Sequence, residues 1–232
     1  MSVWLPFIPA VLVGAAVLFL PGLILGIAMR LSGWWLAAAS APLSVSLIAV
    51  ASTIAGWTPM RWSILPVLGL TTIASIAAVC WRRWVGKPAP TNVAVRGPRT
   101  VLVGAIATIA GMIPIGVIVL RGFGDPSLIA QRYDNLFHVN AIQYVLDTGS
   151  ASPFWVGSMT DPGSLLFYPS GWHAIGALIV QLSGCTVPMA SNAMVLLIAA
   201  VVWPLALILL ARVLFGRSAL VTVAAGALSA AS

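Results

Sequence analysis

The sequence has no glutamate and only four aspartates, and charged residues make up 6% of its 232 residues. A water-soluble domain carries about 25% charged residues, so this chain has too few to cover the surface of a soluble globule. It contains instead apolar runs of about 20 residues, the length that crosses a hydrocarbon core about 30 Å thick. The runs are continuous rather than alternating, which favours helices over a barrel. The sequence therefore predicts an all-α, polytopic bundle of transmembrane helices in the cell membrane, in contact with membrane lipids.

Cysteine is also scarce. Cys80 and Cys185 are the two cysteines of the chain, and each lies at or near the end of an apolar run, which argues against a disulfide framework. The first apolar run has no basic region before it and is too long for a signal peptide, so it predicts a retained first span.

The apolar segments define the predicted organisation, with boundaries that carry an uncertainty of a few residues. Residues 1–120 form a four-span N-terminal bundle, residues 121–171 form a polar loop, and residues 172–232 form further spans, about six or seven in total. The segments are about 3–29, 34–56, 63–81, 101–120, 172–182, 189–211 and 218 to the end. The last of these stops after about 15 residues, which suggests the N-terminal piece of a longer protein.

Tryptophans cluster at the ends of the predicted spans, where amphipathic rings favour the headgroup zone of a bilayer. These residues are Trp34, Trp35, Trp57, Trp62, Trp81 and Trp84. We therefore expect them to lie at the lipid surface.

The formal net charge of +7 would suggest nucleic-acid binding in a soluble protein. Here the loop 82–99 holds five of the eleven basic residues and no acid, which is the pattern of a topology signal, so no nucleic-acid partner is expected. The loop 82–99 is predicted to be cytoplasmic. Counting spans from it places the N-terminus, Arg61 and the segment 121–171 outside the cytoplasm.

All four acids and both histidines of the chain fall at or close to this outer segment. The position of Arg212 and Arg217 stays open at this point. They lie outside if the segments 172–182 and 189–211 both cross, and inside if the shorter one is re-entrant.

The outer segment also carries helix signals. Asp125 followed by Pro126 is typical of a helix start, and Gly149 is typical of a helix stop. Asp134 and His138 are four residues apart, so they share one face of the predicted helix. The pattern resembles an amphipathic helix that lies on the outer surface of the membrane.

Two stretches of this region, YDNLFHVNAIQYVLDTGSASP and FYPSGWHAI, carry a family resemblance. They resemble the first outer loop of GT-C glycosyltransferases, polytopic enzymes that use polyprenyl-phosphate-linked sugars. They are more closely similar to a family of large, uncharacterised actinobacterial membrane proteins, over about residues 125–216.

The resemblance implies that a carboxylate in this loop acts as general base on the acceptor hydroxyl. On this chain that residue is Asp134, and His138 would orient it, bind a divalent metal or contact phosphate. The resemblance further implies a polyprenyl-phosphate sugar donor whose leaving phosphate needs positive charge or a metal.

The remaining candidates would bind that donor. Tyr168 and His173 would line its cleft, and Arg132 and Arg121 would contact its phosphate.

Simpler interpretations compete with each of these roles. Asp134 also fits a helix start or a surface pair with Arg132, and His138 fits an interfacial residue that is hydrogen-bonded to Asp134. Asn135 follows Asp134 where GT-C enzymes often carry a second acid, which favours a non-catalytic scaffold. A lipid or solute transporter is a further alternative, although the predicted spans have no ionisable residue at mid-span, where substrate paths usually carry one.

Overall fold

The computed structural model describes residues 3–86, 98–130, 133–161, 163–164 and 166–231, with residues 98–101 as backbone only. Every regular element in these ranges is a helix, which confirms the all-α prediction for the described part of the chain. The helices are α1 (Phe7–Ala28), α2 (Gly33–Gly56), α3 (Ile64–Val85), α4 (Pro98–Phe123), α5 (Tyr133–Thr148), α6 (Pro153–Gly157), α7 (Gly171–Ser183), α8 (Val187–Leu197), α9 (Trp203–Phe215) and α10 (Ala219–Leu228). A π-helical segment, Ile198–Val202, joins α8 to α9.

Five helical stretches of the described chain are long and apolar enough to cross a membrane. They are α1, α2, α3, residues Leu102–Phe123 of α4, and the continuous stretch Val187–Phe215. Helices α7 and α10 have 13 and 10 residues, and at 1.5 Å per residue they extend about 20 and 15 Å, less than the hydrocarbon thickness. The multi-pass membrane prediction is confirmed, whereas a total of six or seven crossings is not.

Helices α1 and α2 pack closely because glycine removes the side chain at their contact. Pro21 has no N–H to donate inside α1, and the amide of the next residue, Gly22, donates to Ser44 Oγ on α2 at 2.7 Å. A Cβ at Gly22 would overlap the carbonyl oxygen of Ser40. The Gly22–Gly26 pair of the sequence is therefore a packing feature.

The basic end of the bundle, as we call it, contains the ends of α1, α3 and α9. Arg82 Nη1 donates to the carbonyl oxygen of Ala28 at 2.7 Å, and the guanidinium of Arg212 lies 5.7 Å from the ring centroid of Trp34 at the start of α2. Much of the predicted loop 82–99 lies outside the described residues, at positions 87–97.

The opposite end, which we call the polar end, contains the start of α1 and the segment 121–171. Phe7 contacts Phe123 with ring centroids 6.4 Å apart, and the amide of Trp62 donates to the carbonyl oxygen of Gly149 at 2.7 Å. The start of α1 and Arg61 therefore share an end with the acidic segment, as the count of spans predicts. This places them at one end of the bundle, while the side of the membrane stays a prediction.

Helix α7 does not carry the chain from one end of the bundle to the other. Ala174 near its start and Gln181 near its end both hydrogen-bond to Trp62, at 3.0 and 3.1 Å. The chain therefore crosses only once between α7 and Arg212, which places Arg212 at the basic end. Of the two alternatives left by the sequence, the geometry fits the one in which the shorter segment does not cross.

Helix α5 begins later than the sequence predicts. Asp125 does not start a helix, because its carboxylate accepts from the amide and hydroxyl of Ser127 at 2.8 and 2.6 Å and so closes a turn. The predicted stop is confirmed, since α5 ends before Gly149, which has a φ of +71°. The buried face of α5, Ala141, Ile142 and Val145, packs on α7 and α8. Protein rather than lipid covers this face, unlike that of a helix lying free on a membrane.

The segment between α4 and α5 is tied to the last span by one buried side chain. Asn192 of α8 donates through Nδ2 to the carbonyl oxygens of Pro126 and Leu128, both at 2.9 Å. The Asn192 amide thus supplies a hydrogen-bond partner to both of these backbone carbonyls. It fixes the path of the chain into α5.

Candidate functional site

The two histidines of the chain contact each other across the interface between α5 and α7. His138 Nδ1 and His173 Nε2 lie 3.0 Å apart, which is a hydrogen-bond distance, and either ring can be the donor depending on its tautomer. The rings are stacked, with centroids 5.2 Å apart and planes inclined by 26°. The polar end therefore contains a histidine pair that joins the helix of the acidic segment to the bundle.

His173 is the inner member of the pair. It is fully buried, and its Nδ1 has no hydrogen-bond partner among the described residues. Burial, together with the neighbouring His138 ring, lowers the pKa of His173 from 6.5 to about 4. His173 is therefore neutral at pH 7. His138, which belongs to the segment 121–171, is the half-buried member of the pair.

Aromatic rings surround the histidine pair. The Phe137 centroid lies 4.8 Å from that of Tyr168, and the Tyr168 centroid lies 5.7 Å from that of His173. On the other side, Trp172 lies 6.3 Å from the His138 ring. The structure thus places Tyr168, His138 and His173 close together, and Phe137 and Trp172 join them.

The chain around Tyr168 is held by backbone bonds to the segment before α6. The amide of Tyr168 donates to the carbonyl oxygen of Pro153 at 2.9 Å, and Ser170 Oγ donates to that of Ala151 at 2.6 Å. These bonds close the loop that contains α6, so Tyr168 reaches the histidine pair from a fixed backbone rather than from a free loop.

Trp62 connects the two helices that carry the histidines. Its amide bonds to Gly149 at the end of α5, its indole Nε1 donates to the carbonyl oxygen of Ala174 on α7, and its own carbonyl oxygen accepts from Gln181. Trp62 is 2% exposed, so the expectation that it lies at the lipid surface is wrong. Its position at a span end does not distinguish a lipid-facing tryptophan from one covered by a folded outer segment.

Arg61 packs against the end of α5. A Cβ added at Gly149 would lie 2.8 Å from Arg61 Nε, so the guanidinium sits directly on this glycine. A cation at the C-terminus of a helix interacts favourably with its exposed carbonyl groups. Arg61 therefore has a structural role here, which the sequence-based candidates did not include.

Asp134 lies one turn before His138 on α5 and is exposed. The hydrogen bond of His138 Nδ1 in the structure is to His173. The bond to Asp134 that the sequence suggested does not use this nitrogen. Arg121 is exposed in the last turn of α4, and Arg132 lies outside the described residues.

The described residues do not fit a complete metal site. Two nitrogen ligands of a tetrahedral zinc lie about 3.3 Å apart for Zn–N bonds of about 2.0–2.1 Å, close to the spacing of the histidine nitrogens. However, no group of three or more His, Cys, Asp or Glu side chains is close enough to hold an ion in the described part of the chain. Since zinc sites need three or four protein ligands, the histidine pair by itself supplies only part of such a set.

The cysteines are both free thiols. Cys80 is exposed on α3, and Cys185 is half-buried in the turn between α7 and α8.

Comparison with known proteins gives one family and no individual relative. No curated protein and no solved structure matches the chain. The model of a family of unknown function, DUF6541, matches residues 15–232. Since this match covers nearly the whole sequence, the chain belongs to the DUF6541 family.

Proposed function

We propose that this protein is a GT-C-like glycosyltransferase, or the N-terminal part of one, that transfers a sugar from a polyprenyl-phosphate donor to a cell-envelope acceptor. The observation that carries the proposal is the contact of 3.0 Å between His138 and His173. The two histidines are 35 residues apart in the chain. Each belongs to one of the two sequence stretches on which the GT-C resemblance rests, so their contact joins those stretches. The site would lie at the polar end, outside the cytoplasm.

Asp134 is the general base in this proposal. It is exposed at the start of α5, so an acceptor hydroxyl can reach it from water. The acceptor oxygen forms a bond to the anomeric carbon of the sugar, the bond from that carbon to the phosphate oxygen breaks, and the hydroxyl proton passes to the Asp134 carboxylate.

His138 is a positioning residue one turn further along α5. Because its Nδ1 is engaged with neutral His173, its Nε2 is the nitrogen left for the substrate or for Asp134. His173 is fully buried and acts through His138 rather than by touching the donor. This changes the earlier expectation that His173 lines the donor cleft.

The aromatic rings and cations supply the binding groups. Tyr168 and Phe137 present ring surfaces beside the histidine pair, and apolar faces of a sugar ring pack well on such rings. Arg132, with Arg121 as the second cation, would stabilise the charge that develops on the leaving polyprenyl phosphate.

The test uses the full-length protein in proteoliposomes with radiolabelled polyprenyl-phosphate pentoses and hexoses. Transfer to a saccharide acceptor by the wild type, and its loss by about 100-fold or more in Asp134→Asn, would support the assignment. Asp147→Asn is the matched control, because Asp147 is an exposed acid near the other end of α5 that accepts from Gln143 at 2.8 Å. Equal transfer by wild type and Asp134→Asn excludes the base, and no transfer with any donor favours the non-catalytic scaffold.

A further inference from the structure

The basic end of the bundle presents arginines that have no carboxylate of this chain beside them. Arg30 is the second residue after α1, and Arg82 and Arg83 lie in the last turn of α3. All four acids of the chain lie in the segment 121–171, which belongs to the polar end. The charge of these arginines is therefore balanced from outside the chain.

One contact brings the ends of α1 and α3 together. Arg82 Nη1 donates to the carbonyl oxygen of Ala28 at 2.7 Å, so this guanidinium lies over the C-terminus of α1. Arg30 is two residues beyond Ala28, and since consecutive Cα atoms are 3.8 Å apart, its Cα lies within about 8 Å of that of Ala28. Arg83 follows Arg82 directly, so three cationic side chains start from one small region.

The two spans that end here set the depth of this region in the membrane. Helices α1 and α3 have 22 residues each and extend about 33 Å, slightly more than a hydrocarbon core of about 30 Å. Trp81 and Trp84, beside the arginines on α3, are 65% and 79% exposed, with ring centroids 5.5 Å apart. Exposed indoles at a span end are typical of the headgroup zone, which is where lipid phosphates lie.

The backbone at Arg30 carries an arginine where glycine would be the usual residue. Arg30 has a φ of +63°, and it is the one non-glycine residue with a positive φ in the described part of the chain. The amide of Leu31 donates to the carbonyl oxygen of Gly26 at 2.8 Å and so ends α1, a position that favours glycine. The exposed Arg30 side chain adds a cation that glycine would not supply.

We infer that Arg30, Arg82 and Arg83 bind the headgroup phosphate of an anionic phospholipid such as phosphatidylglycerol. Guanidinium groups bind phosphate oxygens through paired N–H donors, and an anionic leaflet attracts basic side chains at a span end. A zwitterionic headgroup carries its own ammonium group, so the site prefers a lipid with net negative charge. The site lies at the opposite end from the histidine pair and does not depend on the proposed glycosyl transfer.

The test is native mass spectrometry of the full-length protein in detergent, titrated with phosphatidylglycerol and with phosphatidylcholine of the same acyl chains. The wild type should bind phosphatidylglycerol more tightly. Arg30→Gly should lower the affinity for phosphatidylglycerol about fivefold, the contribution of one basic residue near a lipid surface. Because glycine fits the positive φ, this variant should be at least as resistant to thermal unfolding as the wild type, so the loss is not one of folding.

Two further variants separate the site from a general effect of charge. Arg30→Lys keeps the cation and should retain the affinity within about twofold. Thr160→Glu lowers the net charge by the same single unit, but at an exposed position of the polar end, and should leave the affinity unchanged. An equal loss in Thr160→Glu and Arg30→Gly would overturn the inference.

Arg83→Gln provides an independent loss of charge, since Arg83 is exposed in the last turn of α3. Unchanged affinity for phosphatidylglycerol in both Arg30→Gly and Arg83→Gln would also overturn the inference. Displacement of the lipid by an equal concentration of glycerol 3-phosphate would show that a free phosphate, rather than a lipid headgroup, is the ligand.

Discussion

The indole Nε1 of Trp62 donates a hydrogen bond to the carbonyl oxygen of Ala174, a residue 112 positions later in the chain, at 3.0 Å. Ala174 follows His173 directly, so this bond fixes the helix turn that presents the inner histidine. The loop between α2 and α3 thereby contributes to a site whose other residues all come from the second half of the chain.

Trp62→Phe should lower the free energy of unfolding by about 1–3 kcal/mol, because it removes a buried hydrogen-bond donor and leaves a smaller ring in the core. The measurement is denaturant unfolding in mixed micelles. Trp57→Phe is the control, since Trp57 is 67% exposed, and it should change the free energy by no more than about 0.5 kcal/mol. Similar values for the two variants would contradict the role assigned to Trp62.

The spans and the end of α5 could be predicted from the sequence, whereas the histidine pair could not, and the reason is physical. The long spans follow from length and hydropathy, which are local properties, and so does the stop at Gly149, where the backbone takes a positive φ. The pairing of His138 with His173 depends on how α5 packs on α7, which a single sequence does not reveal. The sequence indicated only that His138 lies in the outer segment and that His173 follows shortly after it.

One wrong expectation, at Asp125, and one question that the sequence left open, at Trp172, show the same limit. Asp125 offers the same carboxylate to a helix start or to a turn, and Ser127 decides for the turn through two hydrogen bonds. The apolar run at Trp172 is equally typical of a span and of a buried helix. Its 13-residue length and its bonds to Trp62 select the buried helix.

Gly22→Ala should destabilise the contact between α1 and α2 by about 1–3 kcal/mol or more, because the new methyl group overlaps the backbone of Ser40. Gly69→Ala on α3 is the matched control. A Cβ at Gly69 meets no atom within 4 Å, so this variant should be neutral or up to about 1 kcal/mol more stable. Thermal unfolding of both variants in the same detergent distinguishes the two outcomes.

Stability should fall in acid because of His173. Its pKa is about 4 in the folded protein and about 6.5 when exposed, so the unfolded chain binds the proton more readily between these values. The stabilising contribution is present above about pH 6.5 and is lost as the pH falls towards 4. This contribution to the free energy of unfolding is at most about 3 kcal/mol.

The measurement is the free energy of unfolding at pH 7.0 and pH 4.5 for the wild type and for His173→Asn. The variant retains His138 and all four aspartates, so the part of the pH dependence that disappears belongs to His173. An unchanged pH dependence in the variant would show that His173 is not held neutral by its surroundings.

Labelling of single cysteines should report the two ends of the bundle. In a Cys80→Ser, Cys185→Ser background, an impermeant maleimide should label Thr160→Cys at the polar end of intact cells. Arg217→Cys, at the basic end, should react only after permeabilisation, because α7 does not cross and the chain passes the membrane once before Arg212.

Arg83→Cys serves as the reference for the basic end, since Arg83 is exposed in the last turn of α3. Labelling of Arg217→Cys together with Thr160→Cys in intact cells would show that α7 crosses after all. Labelling of Arg83→Cys and Arg217→Cys, but not of Thr160→Cys, in intact cells would reverse the proposed orientation.

The amide of Asn192 spans the carbonyl oxygens of Pro126 and Leu128 with a single nitrogen. The effect of an inserted residue on this link therefore depends on where the residue is added. Residues added after Leu128 lengthen the approach to α5 and leave the link intact, whereas one residue added between Pro126 and Leu128 separates two acceptors that one –NH₂ group must reach together. Natural insertions and deletions in related chains are therefore expected to spare this three-residue step.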